Sequence, residues 1–329
     1  MRLTDLHELP KVRDSWSYLY VEHGRIDQDA KAIALHDANG KTAIPCAALT
    51  TLMLGPGTSI THAAIKTLAD CGCLVVWTGE EGVRFYAQGL GETRSSRRLL
   101  TQAKLWADPK SRLRVVFRMY QMRFDEALDP STTLRQVRGK EGIRVRETYA
   151  RLSRETGVVW KGRSYRRGRW GASDPINRAL SAANSCLYGV CHAAIVSAGY
   201  SPALGFIHTG KMRSFVYDVA DLYKTETSIP AAFNAVAEGV ADLEGTVRRR
   251  CRDYFHARKL MSRIVADIER VLAVPVGEPH TPLDSDLALP GGIWDPEAGA
   301  VEGGVNYAEL LEGQHDGHAA GASVAKSPR

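Results

Sequence analysis

The chain is poor in cysteine and has no metal-binding cysteine pattern. Among its 329 residues there are six, Cys46, Cys71, Cys73, Cys186, Cys191 and Cys251. None forms a CxxC pair, and Cys71 and Cys73 are a single residue apart, which argues against a zinc ribbon. Scattered thiols of this kind suit reduced core residues of a cytoplasmic protein. No continuous apolar run is long enough to cross a bilayer, so no membrane association is expected. The start, MRLTDLHELPKVRD, lacks the apolar core and cleavage pattern of a secretory signal. A nucleotide-binding fingerprint is missing too. The glycine-rich stretches GEEG and GLGE do not sit between a strand and a helix, where phosphate cradling would need them, and read as turns. There is no internal repeat.

What is present is charge, unevenly placed. The formal net charge is +6. Residues 94–169 carry 21 Lys and Arg against 7 Asp and Glu, whereas residues 274–329 carry 2 against 9. A positive field concentrated in one segment is the electrostatic footprint of a nucleic-acid binder, the bland alternative being a solvated helical surface. Arginine dominates the segment, and its planar fork suits bidentate phosphate contacts.

The hydrophobic period divides the chain as an α+β protein. Up to about residue 92 it is two, with β-branched and aromatic runs in SYLYVEHGRI, TLMLGPG, CLVVWTG and VRFYAQG. KAIALHD and KTAIPC flank Asn39-Gly40, a hairpin signal. One helix interrupts the strands, SITHAAIKTLADCG, with Thr58 or Ser59 as its cap. From residue 93 to 273 the period is roughly 3.6, giving an all-α domain. Its helices are SSRRLLTQAKLWAD, SRLRVVFRMYQMRFDEAL, TLRQVRGKEGIRVRETYARLSRETG, a helix capped by Asp174-Pro175, one from Ser214 to Thr225, and a long last helix over LEGTVRRRCRDYFHARKLMSRIVADIERVLA. Residues 274–329 form an acidic Pro/Gly-rich tail with the composition of a disordered segment.

Gly205 to Lys224, GFIHTGKMRSFVYDVADLYK, carries the chemistry. His208 precedes Asp218 and Asp221, which share a helix face at i, i+3. One imidazole with two carboxylates suits a hard divalent cation, Mg²⁺ or Mn²⁺. Lys211 and Lys224 flank the group, as a phosphate substrate would require. Glu141 adds a third carboxylate, set among Arg138, Lys140, Arg144 and Arg146 and bracketed by Gly139 and Gly142, which let a backbone or ligand approach. Glu141, His208 and Asp221 as protein ligands would leave positions open for water and phosphate, as in a catalytic metal site. Asp218 would serve as a further ligand, hold a metal-bound water, or accept a hydrogen bond from His208. Tyr165, in KGRSYRRGRW, is the candidate for stacking on an unpaired base.

These stretches, with LPKVRDSWSYLYVEHGRID, LGPGTSITHAA and SAANSCLYGV, resemble the CRISPR adaptation integrase, the catalytic nuclease subunit that inserts new spacers, and most of all its I-E subtype. The likeness runs from Leu9 to Ala273. It implies that domain 1–92 is β-sandwich-like, that domain 93–273 holds the metal, and that the tail helps bind a partner. It implies a homodimer, with two dimers bridged by a small ferredoxin-like subunit, acting on double-stranded DNA with 3′ overhangs and on CRISPR repeat DNA. The family's metal ligands fall on Glu141, His208 and Asp221, with Asp218 beside them. Its DNA contacts fall on Arg84, Arg163, Lys211, Lys224 and Arg248. Two positions depart from the family pattern. The aromatic wedge at the duplex end aligns with His23, and an arginine on the overhang path aligns with Ser59, where Lys66 keeps a charge one helix face away. The implied activity is a metal-dependent endonuclease and integrase. The alternatives are an architectural DNA-binding protein with a structural acidic cluster and an RNA-directed metal nuclease.

Overall fold

Strands come first and helices after, in the computed structural model, which describes residues 18–30, 32–46, 49–89, 96–163, 174–274, 293–295 and 299–301. The strands are β1 (Tyr18–Val21), β2 (Arg25–Asp29), β3 (Ala32–Asp37), β4 (Gly40–Ile44), β5 (Thr51–Leu54), β6 (Ser59–Ile60), β7 (Leu74–Thr78) and β8 (Phe85–Gly89). One sheet runs β1-β5-β7-β8 and the other β4-β3-β2-β6. The Asn39-Gly40 turn joins antiparallel β3 and β4, with Asp37 opposite Gly40. SYLYVEHGRI is two strands of different sheets, because the chain turns at His23, whose φ is 51°. Its backbone N–H is tied to the Pro56 carbonyl at 3.0 Å. Ile26 and Ile33 of one sheet and Leu52 and Leu54 of the other share one apolar cluster with Leu68 of α1 (His62–Asp70). Thr61 caps α1 rather than Thr58 or Ser59: its side chain accepts from the Ala64 N–H, while Ser59 pairs in β6 beside Arg25 of β2.

The helices are α2 (Arg97–Ala107), α3 (Pro109–Gln121), α4 (Leu134–Thr156), α5 (Pro175–Ser197), α6 (Ser214–Ala220), α7 (Ser228–Ala237), α8 (Leu243–Ala257) and α9 (Leu260–Leu272). Several of their starts are marked by capping side chains. Asp108 accepts from Ser111, Thr133 and Gln136 form a reciprocal capping box, and Asp174 accepts from Asn177 ahead of Pro175. By length and composition α5 could cross a bilayer, but 67% of its apolar window is buried inside the molecule. It is the central helix of the second apolar cluster, to which α2, α3, α4, α6, α7, α8 and α9 also contribute buried residues.

Three expectations are corrected here. The expected helix 214–225 stops at Ala220, and turns follow it. The expected long last helix breaks at Lys259, in the left-handed region at φ 49°, so α8 and α9 fold as separate rods. Residues 228–237, for which no helix is expected, form the buried helix α7, with Pro230 tolerated in its first turn.

A small cluster of Leu74 and Val76 from β7 with Val196 from α5 joins the strands to the helices. Contacts group residues 1–276 as one unit and 277–329 as another. In the second, Ile293–Asp295 and Gly299–Val301 pair antiparallel, a short hairpin inside the segment expected to lack structure. The rest of that tail lies outside the described residues.

Candidate active site

The site is built on the turn that leads into α6. Gly205 permits the turn, since a Cβ there would stand 2.4 Å from the His208 carbonyl oxygen. Two earlier helices hold the turn from outside. Trp106 donates its indole N–H to the Gly205 carbonyl at 3.0 Å, and Arg112 donates to the carbonyl of Phe206 at 3.1 Å. From inside, Asp218 organises it. This carboxylate is fully buried and accepts the backbone N–H groups of Phe206, Ile207 and His208 at 2.5, 3.0 and 2.8 Å. It also meets the His208 Nδ1 at 2.7 Å. The hydrogen bond to Asp218, opposed by partial burial, raises the His208 pKa above its ordinary value. Because a carboxylate only accepts, neutral His208 carries its hydrogen on Nδ1 and leaves Nε2 with the lone pair.

Glu141 and Asp221 approach from opposite elements. Glu141 lies in α4, and Asp221 terminates α6. Arg144 grips Glu141 with two hydrogen bonds of 2.8 and 2.9 Å and donates to the Thr225 hydroxyl at 3.0 Å, tying α4 to the turns after α6. Lys224 Nζ lies 2.6 Å from Asp221 and 5.1 Å from the Tyr188 ring centre. Burial pulls the Lys224 pKa down, but the Asp221 charge and Tyr188 outweigh it and the ammonium is pushed up to about 12. Arg123 Nη1 stands between the two carboxylates, 3.4 Å from Glu141 and 3.8 Å from Asp221. Tyr217 edges onto both His208 and Tyr188. Glu141, His208, Asp218, Asp221 and Lys224 thus come together. Among the described residues, however, no three His, Cys, Asp or Glu side chains form a group close enough to hold a metal ion as they stand. The charge of the two carboxylates is met by Arg123, Arg144 and Lys224.

The other candidates surround this cluster or stand apart from it. Lys211 is exposed in the turn beside His208. Arg163 is held to the start of α5 by the Asn177 carbonyl and the Ser181 hydroxyl. Arg84 is exposed just before β8, where its backbone lies against Gly189 of α5, and Arg248 pairs with Glu80 at 3.2 Å. Lys66 on α1 and His23 are exposed within the strand-rich part. Tyr165 lies outside the described residues. Arg123 and Thr225 were not singled out by sequence reasoning. Arg123 is one cation among many in its segment, and only the approach of α3 to α4 and α6 distinguishes it.

Fold and site define a class: an α+β protein whose basic helical body carries a carboxylate-held imidazole beside two more carboxylates. A family profile described as CRISPR associated protein Cas1 matches residues 117–269, the stretch that contains Arg123, Glu141, His208, Asp218 and Asp221. CRISPR-associated endonuclease Cas1 2 of Thermus thermophilus is 56% identical over 306 residues, 92% of this chain and 93% of that protein. CRISPR-associated endonuclease Cas1 of Escherichia coli is 44% identical over 289 residues, 88% of this chain and 94% of that one. The crystal structure of a TtCas1–DNA complex matches with a TM-score of 0.75 at 57% identity, covering 80% of this chain and 99% of that chain. A Cas1 protein from Thermotoga maritima, 16% identical, shares the fold at a TM-score of 0.52 over 80% of this chain and 99% of its own. The chain belongs to the Cas1 family.

Proposed function

We propose that this protein is a CRISPR-adaptation endonuclease and integrase that uses Mg²⁺ or Mn²⁺ held by Glu141, His208 and Asp221. The observation that carries the reading is the Asp218–His208 pair set beside the Glu141 and Asp221 carboxylates. The donor set fits such an ion in kind. Two carboxylates converge on one centre of positive charge, and His208 keeps Nε2 as its free lone pair because Asp218 takes Nδ1. When bound, the ion supplies polarisation of the phosphoryl group and stabilisation of the leaving oxygen.

This chain's own residues do the rest. Asp218 fixes the imidazole and the turn. Lys224 and Lys211 offset charge that develops on the phosphoryl oxygens. Arg84, Arg163, Arg248 and Lys66 hold phosphates along the DNA, and His23 stacks at the duplex end. Tyr165, outside the described residues, would stack on an unpaired base. The 3′-hydroxyl oxygen of a captured DNA end bonds to phosphorus at the repeat boundary as the phosphorus bond to the neighbouring 3′ oxygen breaks. The hydroxyl proton passes to solvent, the departing oxygen takes one up, and the number of phosphodiesters is unchanged. With water as the nucleophile the same arrangement cuts DNA.

We further propose the I-E subtype and a cytoplasmic homodimer, with two dimers bridged by a small ferredoxin-like subunit. Residues 1–92 then act as a β-sandwich-like domain and 93–273 as the catalytic one.

A second reading, an architectural DNA-binding protein, draws support from the ion pairs that already neutralise Glu141 and Asp221. Strand transfer of a forked DNA into a repeat-bearing plasmid separates the two. Under the integrase reading, joining needs Mg²⁺ or Mn²⁺, stops with EDTA, and falls about 10²-fold or more in His208→Ala. Tight DNA binding with no joined product under any metal condition would leave the architectural reading.

A further inference from the structure

The charge that the structure places between Glu141 and Asp221 belongs to a side chain. Arg123 lies in the turn just after the C-terminal end of α3, and its side chain is 4% exposed. Its Nη1 is within 3.4 Å of Glu141 and 3.8 Å of Asp221, while its guanidinium lies 4.9 Å from the Tyr120 ring centre. Among the described residues Arg123 is the one cation paired with both carboxylates, since Arg144 pairs with Glu141 and Lys224 with Asp221. It is also the most loosely held of the three. Arg144 makes bonds of 2.8 and 2.9 Å and is anchored on Thr225, and Lys224 sits 2.6 Å from Asp221. Strong charge-assisted hydrogen bonds are about 2.7–2.9 Å, and both contacts of Arg123 are longer. Its Nε and Nη2, buried, have no hydrogen-bond partner among the described residues. Burying a guanidinium with two unpaired donors is unfavourable unless its charge is needed where it sits.

We propose that Arg123 is an internal counter-cation that keeps Glu141 and Asp221 together and competes with the divalent ion for them. This rests on the reading of Glu141, His208 and Asp221 as an ion site. Two like charges brought into a half-buried space repel, and a guanidinium between them turns that repulsion into two attractions. An entering ion meets a preformed carboxylate pair but must displace, or share the pair with, a charge already there. Arg123 therefore weakens ion binding while it maintains the geometry that ion binding needs. Arg144 has a different part, since its short bonds to Glu141 and Thr225 join two elements whether or not the ion is bound.

The test is Mn²⁺ binding by the purified full-length chain, read from the electron paramagnetic resonance of free Mn²⁺ at fixed ionic strength. Melting curves are taken with and without the ion. Arg123→Gln is expected to bind Mn²⁺ about tenfold more tightly than wild type, a change of ~1.4 kcal/mol. It is also expected to melt lower without the ion and to gain more from it. Arg123→Lys, which keeps the charge, is expected to stay near wild type. Should Arg123→Gln not fold, Arg123→Met, which keeps the packing on Tyr120, gives the same comparison. Equal or weaker Mn²⁺ binding by the neutral variant, with wild type binding normally and Glu141→Gln not, overturns the competition and leaves the ion site standing. Absence of Mn²⁺ binding in wild type and variant alike overturns both.

Discussion

Asp218 shows how one buried carboxylate can organise a turn and orient a ring. Its carboxylate accepts three backbone N–H groups and the His208 imidazole, so the turn 206–208 and the ring orientation depend on one buried charge. Asp218→Asn puts an amide N–H where a donor already points and leaves part of the cluster unpaired. It should cost about 1–3 kcal/mol of stability by denaturant unfolding. Lys211→Ala, exposed in the same turn, should change stability by no more than about 0.5 kcal/mol. Equal stability of the two variants would mean that the turn does not hang on Asp218. The i, i+3 spacing of Asp218 and Asp221 was legible in the sequence, and so was the alternative that Asp218 accepts from His208. That α6 would end at Ala220, turning one acid inward and leaving the other at the helix end, was not legible. It depends on amides ten to twelve residues earlier in the chain.

At the scale of elements, β8 and the residue just before it meet α5 at two points. Phe85 stacks on His192 with ring centres 3.8 Å apart, and the Arg84 backbone lies where a Cβ on Gly189 would stand 3.0 Å from its Cα. Burial, aided by the nearby Arg213 charge, pulls the His192 pKa down to about 4. A histidine held neutral in the fold but free to protonate when unfolded adds no pH dependence above its ordinary value of 6.5. Stability is then lost as pH falls from there toward 4, because the unfolded chain binds the proton first. Between pH 7 and pH 5 the loss from this residue should be about 1–2 kcal/mol. His192→Phe, which keeps a stacked ring, should show a correspondingly smaller fall in melting temperature over that range. An unchanged fall would place the acid sensitivity elsewhere. Several of these elements were readable because their ends are marked in the sequence, by the Asp174 cap with Pro175 or by the Asn39-Gly40 turn. The left-handed Lys259 and the buried α7 were not, since the first carries no glycine and the second places a proline where helices are usually read as broken.

Composition alone separates the strand-rich residues 1–93, with 8 Lys and Arg against 11 Asp and Glu, from a basic helical part. Residues 94–169 hold 21 cations against 7 anions. The structure sets some of this charge against acids, as in Arg144 with Glu141 and Arg151 with Glu155. It leaves Arg138, Lys140 and Arg146 of α4 exposed, together with Lys211 beside His208. Which cations are committed within the fold and which are left for a partner is a matter of tertiary packing, and no count of arginines reveals it. If the exposed set grips DNA phosphates, binding releases the counterions condensed on the duplex, and affinity must fall steeply with salt. For about six phosphate contacts the loss between 50 and 200 mM salt is ~10³-fold. A salt titration of DNA binding by the full chain measures the slope. Arg138→Gln with Lys140→Gln should lower it by about two, because each lost contact removes close to one unit. His208→Ala should leave the slope unchanged if, as proposed, that imidazole serves the chemistry and not the grip. A slope that His208→Ala reduced as much as the double variant did would mean that the acid–imidazole cluster and the basic surface bind DNA as a single unit.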